Sequence, residues 1–290
     1  MNIERYLREI YTMDDTDMQC LHRETSTPPK WIDACIWTPT YISYSLMFPV
    51  LTSFLFGYVD SPLYMNITTP SVFGLSLGVI SVLCGQVSTV VYYHIYNDIS
   101  FTKPSSIEAI GKHFSQPEGF LLLGGYLGIY WMSGMMPYSY YQFSGRIQWT
   151  HVVYQLVIQD ALQYMMHRME HSIPLLYKYS HSTHHKHIVP NLYDAFDGSI
   201  VDTTCMILIP FFITSRIVSA NIWSYMIFGT IYANMLTLIH SQYSHPWDKY
   251  ARLFGIGTPD DHRLHHKKYK YNYGHIFMYW DLFCNTFLDS

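Results

Sequence analysis

Three histidine clusters define the chemistry open to this chain. His167-Arg-Met-Glu-His171 has the i, i+4 spacing that places two imidazoles on one helix face. His181-Ser-Thr-His184-His185 and His262-Arg-Leu-His265-His266 share a single H-x-x-H-H spacing, and 12 of the 16 histidines lie between His167 and His275. Neutral imidazoles bind transition metals well. Eight rings from three clusters, with His240 as a ninth, would give a dinuclear centre four or five ligands per ion. His245 and His275 are the candidates for a tenth ligand, and His187 is placed outside the set. Regular spacing separates these clusters from a histidine-rich storage tract. Soluble di-iron bundles use Glu and Glu-x-x-His pairs. No such array occurs here, and Glu170 is read as facing away from the first pair.

Asp160 and Tyr164 precede His167 on the same helical stripe and are the candidate catalytic residues. The carboxylate would hold a ligand imidazole in one tautomer, and the phenol would orient a ligand. Zinc also accepts imidazole, so a dizinc hydrolase or isomerase is an alternative of another class. A metal transporter would carry polar groups at mid-membrane depth, and residues 36–59 and 71–93 hold none beyond Ser, Thr and Gln86.

Those histidines need a scaffold, and composition indicates which kind. Of 290 residues only 13% are charged, against about 25% in soluble domains, while 49% are hydrophobic and 17% aromatic. Residues 35–59, 61–97, 119–145 and 217–247 contain no Asp, Glu, Lys or Arg. A bilayer core of ~30 Å needs about 20 apolar residues in a helix, so crossings are expected at 36–59, 71–93, 119–136 and 148–166. The apolar stretch 203–239 is split by Pro210 and Arg216 and reads as a membrane-inserted hairpin or a further pair of crossings. Gly74, Gly78 and Gly85 would let another helix approach closely.

The expected fold is therefore an all-α integral membrane protein with about four transmembrane helices, an inserted hairpin and a cytosolic histidine-rich helical cap. It divides into a cytosolic tail (1–34), a membrane anchor with two crossings (35–118) and a catalytic domain (119–290). Basic residues favour the cytoplasmic side, which puts the 94–118 loop and all three clusters there. A net charge of −4 without a basic patch excludes nucleic acid as a partner. Five cysteines without C-x-x-C pairing suggest neither a zinc knuckle nor a disulfide framework. The charged N-terminal residues do not form a cleavable secretory signal.

The order and spacing of the clusters resemble the fatty acid hydroxylase and sterol desaturase superfamily of membrane non-haem di-iron oxidases. The resemblance covers roughly residues 120–290. It extends to Asp160-x-x-x-Tyr164-x-x-His167-Arg168, to Ile239-His240-Ser241, and to Tyr271-Asn272-Tyr273-Gly274 followed by Trp280-Asp281. Tyr271–Gly274 and Phe196-Asp197-Gly198 are most similar to the sterol C-5 desaturase branch. Asp194-Ala195 replaces a customary His-Pro pair, Asp261 a frequent histidine, Leu282 an arginine and Asn285 a glycine. The resemblance implies two iron ions that use O2 and external electrons to oxidise an unactivated C–H bond of a lipid. It points first to sterol desaturation, with fatty-acyl, sphingolipid or triterpenoid hydroxylation or epoxidation as alternatives. It further implies a separate b-type cytochrome or ferredoxin with its reductase, lateral entry of substrate from the membrane, and residence in the endoplasmic reticulum.

Overall fold

The computed structural model describes residues 31–57 and 68–289. Most of the expected 1–34 tail, with Cys20 and His22, lies outside them, as does most of the 60–70 loop. All the regular elements among the described residues are helical. Eight helices organise the chain: α1 (Trp31–Phe56), α2 (Thr68–Tyr96), α3 (Pro104–Ser115), α4 (Leu122–Met132), α5 (Trp149–Ser172), α6 (Ile200–Ile217), α7 (Ile222–Ile239) and α8 (Pro259–Lys268). One π-helical turn, Pro117–Leu121, leads into α4, and another, Thr204–Leu208, lies within α6.

Among the described residues, three helices are long and apolar enough to cross a membrane: Val72–Tyr96 of α2, α6 and α7. The split stretch around 203–239 thus supplies two candidate crossings. α1 has 26 residues and leaves Ile36, Ile42, Met47, Leu51 and Leu55 exposed along its length, but it is not one of these three. Two of the expected crossings are not among these three. α4 has 11 residues and continues the π-helical turn Pro117–Leu121, a run still short of the ~20 residues that span a bilayer core. α5 has 24 residues but buries Gln155, Gln159, Asp160, Gln163, His167 and Glu170. Its polar face is turned into protein, and it is not among the apolar candidates.

Polar bonds tie α7 to α2 and to α5. Ser81 pairs with Thr230 (2.9 Å), Gln86 Nε2 donates to Asn234 Oδ1 (3.0 Å), and the Thr237 hydroxyl donates to Gln86 Oε1 (3.0 Å). A Cβ on Gly85 would sit 2.6 Å from Thr230, so this glycine is what allows the two helices to meet. Tyr232 donates to Gln163 on α5 (2.9 Å). α7 is consequently buried along most of its length and delivers His240 at its C-terminal end.

Candidate metal centre

α5 presents His167 and His171 one turn apart. The second cluster lies on a 3-10 turn, His181–Lys186, and the third on α8. Thr258 and Asp261 start α8 as a reciprocal capping box, which accounts for Asp261 at a position where the family often has histidine. Asn285 has a φ of 54°, the left-handed region where glycine is favoured and asparagine tolerated.

The imidazoles gather into two groups. His167, His171, His181, His185 and His265 form one, and His184, His240, His262 and His266 the other; within each, the ligating atoms lie within 4.8 Å of one another. Both H-x-x-H-H clusters are divided between the two groups. All nine rings are buried except His171, which is partly so.

Outer partners fix the tautomers. Nδ1 of His167 donates to the Tyr273 carbonyl (2.8 Å), that of His265 to Tyr271 (2.8 Å), and that of His266 to His187 (2.8 Å). Nδ1 of His184 donates to Asp197 (3.2 Å) and that of His240 to Leu236 (2.6 Å). His181 Nδ1 meets the Asp202 carboxylate (2.8 Å). A carbonyl only accepts, so each ring bonded to one keeps its proton on Nδ1 and, while neutral, turns a bare Nε2 inward. Burial, followed by crowding among imidazoles, pushes His167, His171, His185, His262 and His266 well below their ordinary value. Burial takes His184 down to about 4 and His265 to about 3. These seven rings are therefore neutral at pH 7.

Facing bare nitrogens repel unless a cation lies between them, and His184 and His240 turn their Nε2 atoms to each other at 3.2 Å. Two nitrogens bound at ~2.1 Å and roughly at right angles to one ion are separated by about this distance. Each group thus offers donors that fit a metal ion.

The remaining candidates divide. His275 is at the centre, its ring 4.9 Å from His167 and 5.4 Å from His262, and its Nδ1 has no hydrogen-bond partner among the described residues. His245 is away from the centre, stacked on Trp247 at 5.0 Å and 3.5 Å from the Tyr92 hydroxyl. Asp160 does not hold an imidazole. Its carboxylate accepts from the backbone N–H of Ile276 (2.8 Å) and Phe277 (2.9 Å) and from the Trp280 indole (2.9 Å). Tyr164 bonds Thr286 (2.8 Å). Both residues thus grip the C-terminal segment whose carbonyls orient His167 and His265.

Two carboxylates missed by the sequence reading take the outer role instead. Asp202 holds His181, and Glu170, bonded by Ser180, lies 3.5 Å from the same ring. Asp202 and Glu170 outweigh the opposing effect of burial and raise the His181 pKa. No spacing rule links residue 202 to residue 181, but Ser199 and Asp202 do carry a helix-start signal, realised as an N-cap. His187 bonds Asp197 (3.0 Å), as do Lys112 (2.7 Å), Lys186 (3.0 Å) and Gln116 (2.8 Å).

A helical membrane scaffold that buries two all-imidazole groups defines a membrane metalloenzyme of the histidine-cluster class. The chain belongs to the fatty acid hydroxylase family and is an oxidoreductase. The family model for fatty acid hydroxylase matches residues 152–286, which include all nine clustered histidines. The alternative squalene epoxidase of Phaeodactylum tricornutum is 46% identical over 234 residues, 76% of this chain and 67% of that protein. Human cholesterol 25-hydroxylase is 23% identical over 78% of this chain and 82% of its own length. A Delta(7)-sterol-C5(6)-desaturase of Nicotiana tabacum is 25% identical over 47% of this chain and 49% of its own length. No solved structure matches the chain.

Proposed function

We propose that this chain is an O2-dependent di-iron epoxidase of the linear triterpene squalene. The observation that carries the reading is the pair of buried imidazole groups with a cavity beside them. That cavity is lined by His181, His184, His240 and His275 and by the apolar Phe196, Met206, Ile207 and Leu236. The choice of substrate is supported by the 46% identity to the alternative squalene epoxidase over 76% of the chain, which a conserved metal domain alone would not explain. Residues 119–290 are read as the catalytic half and 35–118 as the anchor.

The iron pair, held by His167, His171, His181, His185 and His265 and by His184, His240, His262 and His266, would supply O2 activation. In the balanced reaction one oxygen atom enters the alkene, and the other leaves as water with two protons and two external electrons. The protein's part is to keep the clustered imidazoles aimed, and to line the approach with apolar side chains that exclude water. Electrons come from a separate b-type cytochrome or ferredoxin and its reductase. The protein resides in the endoplasmic reticulum membrane with the histidines facing the cytosol.

Expression in cells whose own squalene epoxidase is disabled tests this. Squalene should fall and sterols should return, with purified protein carrying close to two irons per chain. Unchanged squalene in the presence of folded, iron-loaded protein would sink the reading. Sterol C-5 desaturation is the second reading, favoured by the Tyr271–Gly274 segment; restoration of that double bond in C-5 desaturase-deficient cells would select it.

A further inference from the structure

A second space, lined almost entirely by apolar groups, lies farther along α7 from the histidine cavity. The groove between α2, α4 and α7 encloses about 940 Å³, a figure that includes space open to the outside. Each helix gives its wall a glycine and an apolar neighbour: Gly78 and Val82, Gly124 and Leu127, Gly229 and Ala233. These glycines do not serve close helix packing. A Cβ on Gly78 or Gly124 would meet nothing within 4 Å, and one on Gly229 would meet only Val82 at 3.7 Å. What they leave is volume, contrary to the expectation that Gly78 admits a neighbouring helix.

The groove is continuous in direction with the histidine cavity. Gly229, Ala233, Leu236 and His240 follow one another at helical spacing along one stripe of α7. The first two line the groove and the last two line the cavity. Side chains separate the two spaces. Phe120 and Phe196 meet edge-on at 5.5 Å, and Phe211, a groove residue, packs in one cluster with Phe196 and Met206. Phe120 and Met206 sit on the two π-helical turns, a wide-turn geometry found frequently at functional sites.

We infer that this groove receives the unreacted end of the hydrocarbon substrate while the reacting carbons lie at the histidine cavity. Gly78, Gly124 and Gly229 then set the length and bulk that can be accepted. The identity of the hydrocarbon rests on the proposed function. A chain without a polar headgroup fits a wall without a charged residue, because it brings no charge that would have to be buried unpaired.

The test uses full-length Gly124→Leu and Gly229→Leu, with Gly78→Ala as a milder variant, in detergent or nanodiscs. Metal content reports folding. A diazirine-bearing squalene analogue should crosslink to the α4 and α7 walls of the wild type and less to the Leu variants. Turnover of squalene should drop about tenfold or more, while a half-length isoprenoid with the same terminal alkene stays within about twofold. Equal loss for both hydrocarbons, or for neither, overturns the inference. So does a phospholipid that co-purifies in the groove while squalene still reacts and crosslinks elsewhere. Groove crosslinking in a wild type that does not oxidise squalene would sink the proposed function and leave the groove standing. Squalene turnover without groove crosslinks would do the reverse.

Discussion

At the scale of single residues, six of the nine candidate ligands are oriented by an atom on the outer side of the ring. Asp202 holds His181 by Nδ1, so Asp202→Asn should weaken metal binding by about 10- to 100-fold. Competition with a chelator measures this; unchanged affinity would show that the carboxylate does not set the ring. Asp197 gives a pH-dependent case. Burial alone would raise its pKa, but hydrogen bonds from His187, Lys112, Lys186 and Gln116 hold it well below the ordinary carboxylate range. A depressed folded pKa adds stability that is complete above the unfolded value near ~4 and is lost as pH falls through the folded one. Asp197→Asn should lower Tm at pH 7, by an amount corresponding to about 1–3 kcal/mol, and the gap from wild type should narrow below pH ~4. A gap constant with pH would rule this out. The clustered histidines were legible because their spacing is local. Asp202, Asp197 and the carbonyls of Tyr271 and Tyr273 were not, because only the folded chain brings them to the rings. Asp160 shows the opposite error: it shares a helical stripe with His167, yet its carboxylate bonds the loop at Ile276 and Phe277.

At the scale of elements, that C-terminal loop acts as a latch. Asp160 on α5 accepts from its backbone, and Asp281 accepts from Tyr273 (2.9 Å) and Gly274 (2.7 Å). Gly257 donates to Ile276 (2.9 Å) and Met278 to Gly255 (2.8 Å), docking the loop on the approach to α8. The loop's carbonyls then orient His167 and His265, both in the five-histidine group. Asp160→Asn should weaken metal binding by the five-histidine group, and through the shared turn that of its neighbour, with earlier proteolytic cleavage near residues 271–286. Chelator competition and limited proteolysis report both, and unchanged metal affinity in a chain that is cleaved earlier would contradict a latch that sets the rings. The H-x-x-H-H spacing concealed a structural difference, because the first copy folds as a 3-10 turn and the second as an α-helix. Both copies nonetheless divide alike: the first and last histidines, His181 with His185 and His262 with His266, share a group, while His184 and His265 join the opposite one. The spacing does not show this division, because each group is completed by rings from other elements.

At the scale of the whole molecule, the apolar runs announced a membrane protein but did not mark which of them form long apolar helices. The run at 119–136 contributes groove walls such as Gly124, Leu127 and Trp131, and helix α5 is covered by protein along its polar face. Hydrophobicity records burial and does not distinguish lipid from protein as the covering medium. Orientation is checked with Cys284, which is exposed beside the latch loop. In intact microsomes it should react with a membrane-impermeant maleimide applied from the cytosolic side; protection until detergent is added would invert the topology. A further consequence follows from the 3-10 turn His181–Lys186, which sends His181 and His185 to one group and His184 to the other. An ion in either group immobilises this shared turn, so the second ion meets ligands that have already lost their freedom. Each ion then raises the affinity for the other by the same factor. Loading should therefore be cooperative, with native mass spectra during iron titration passing from metal-free to doubly loaded chains and little one-ion protein between them. A dominant one-ion species would show that the two groups fill independently.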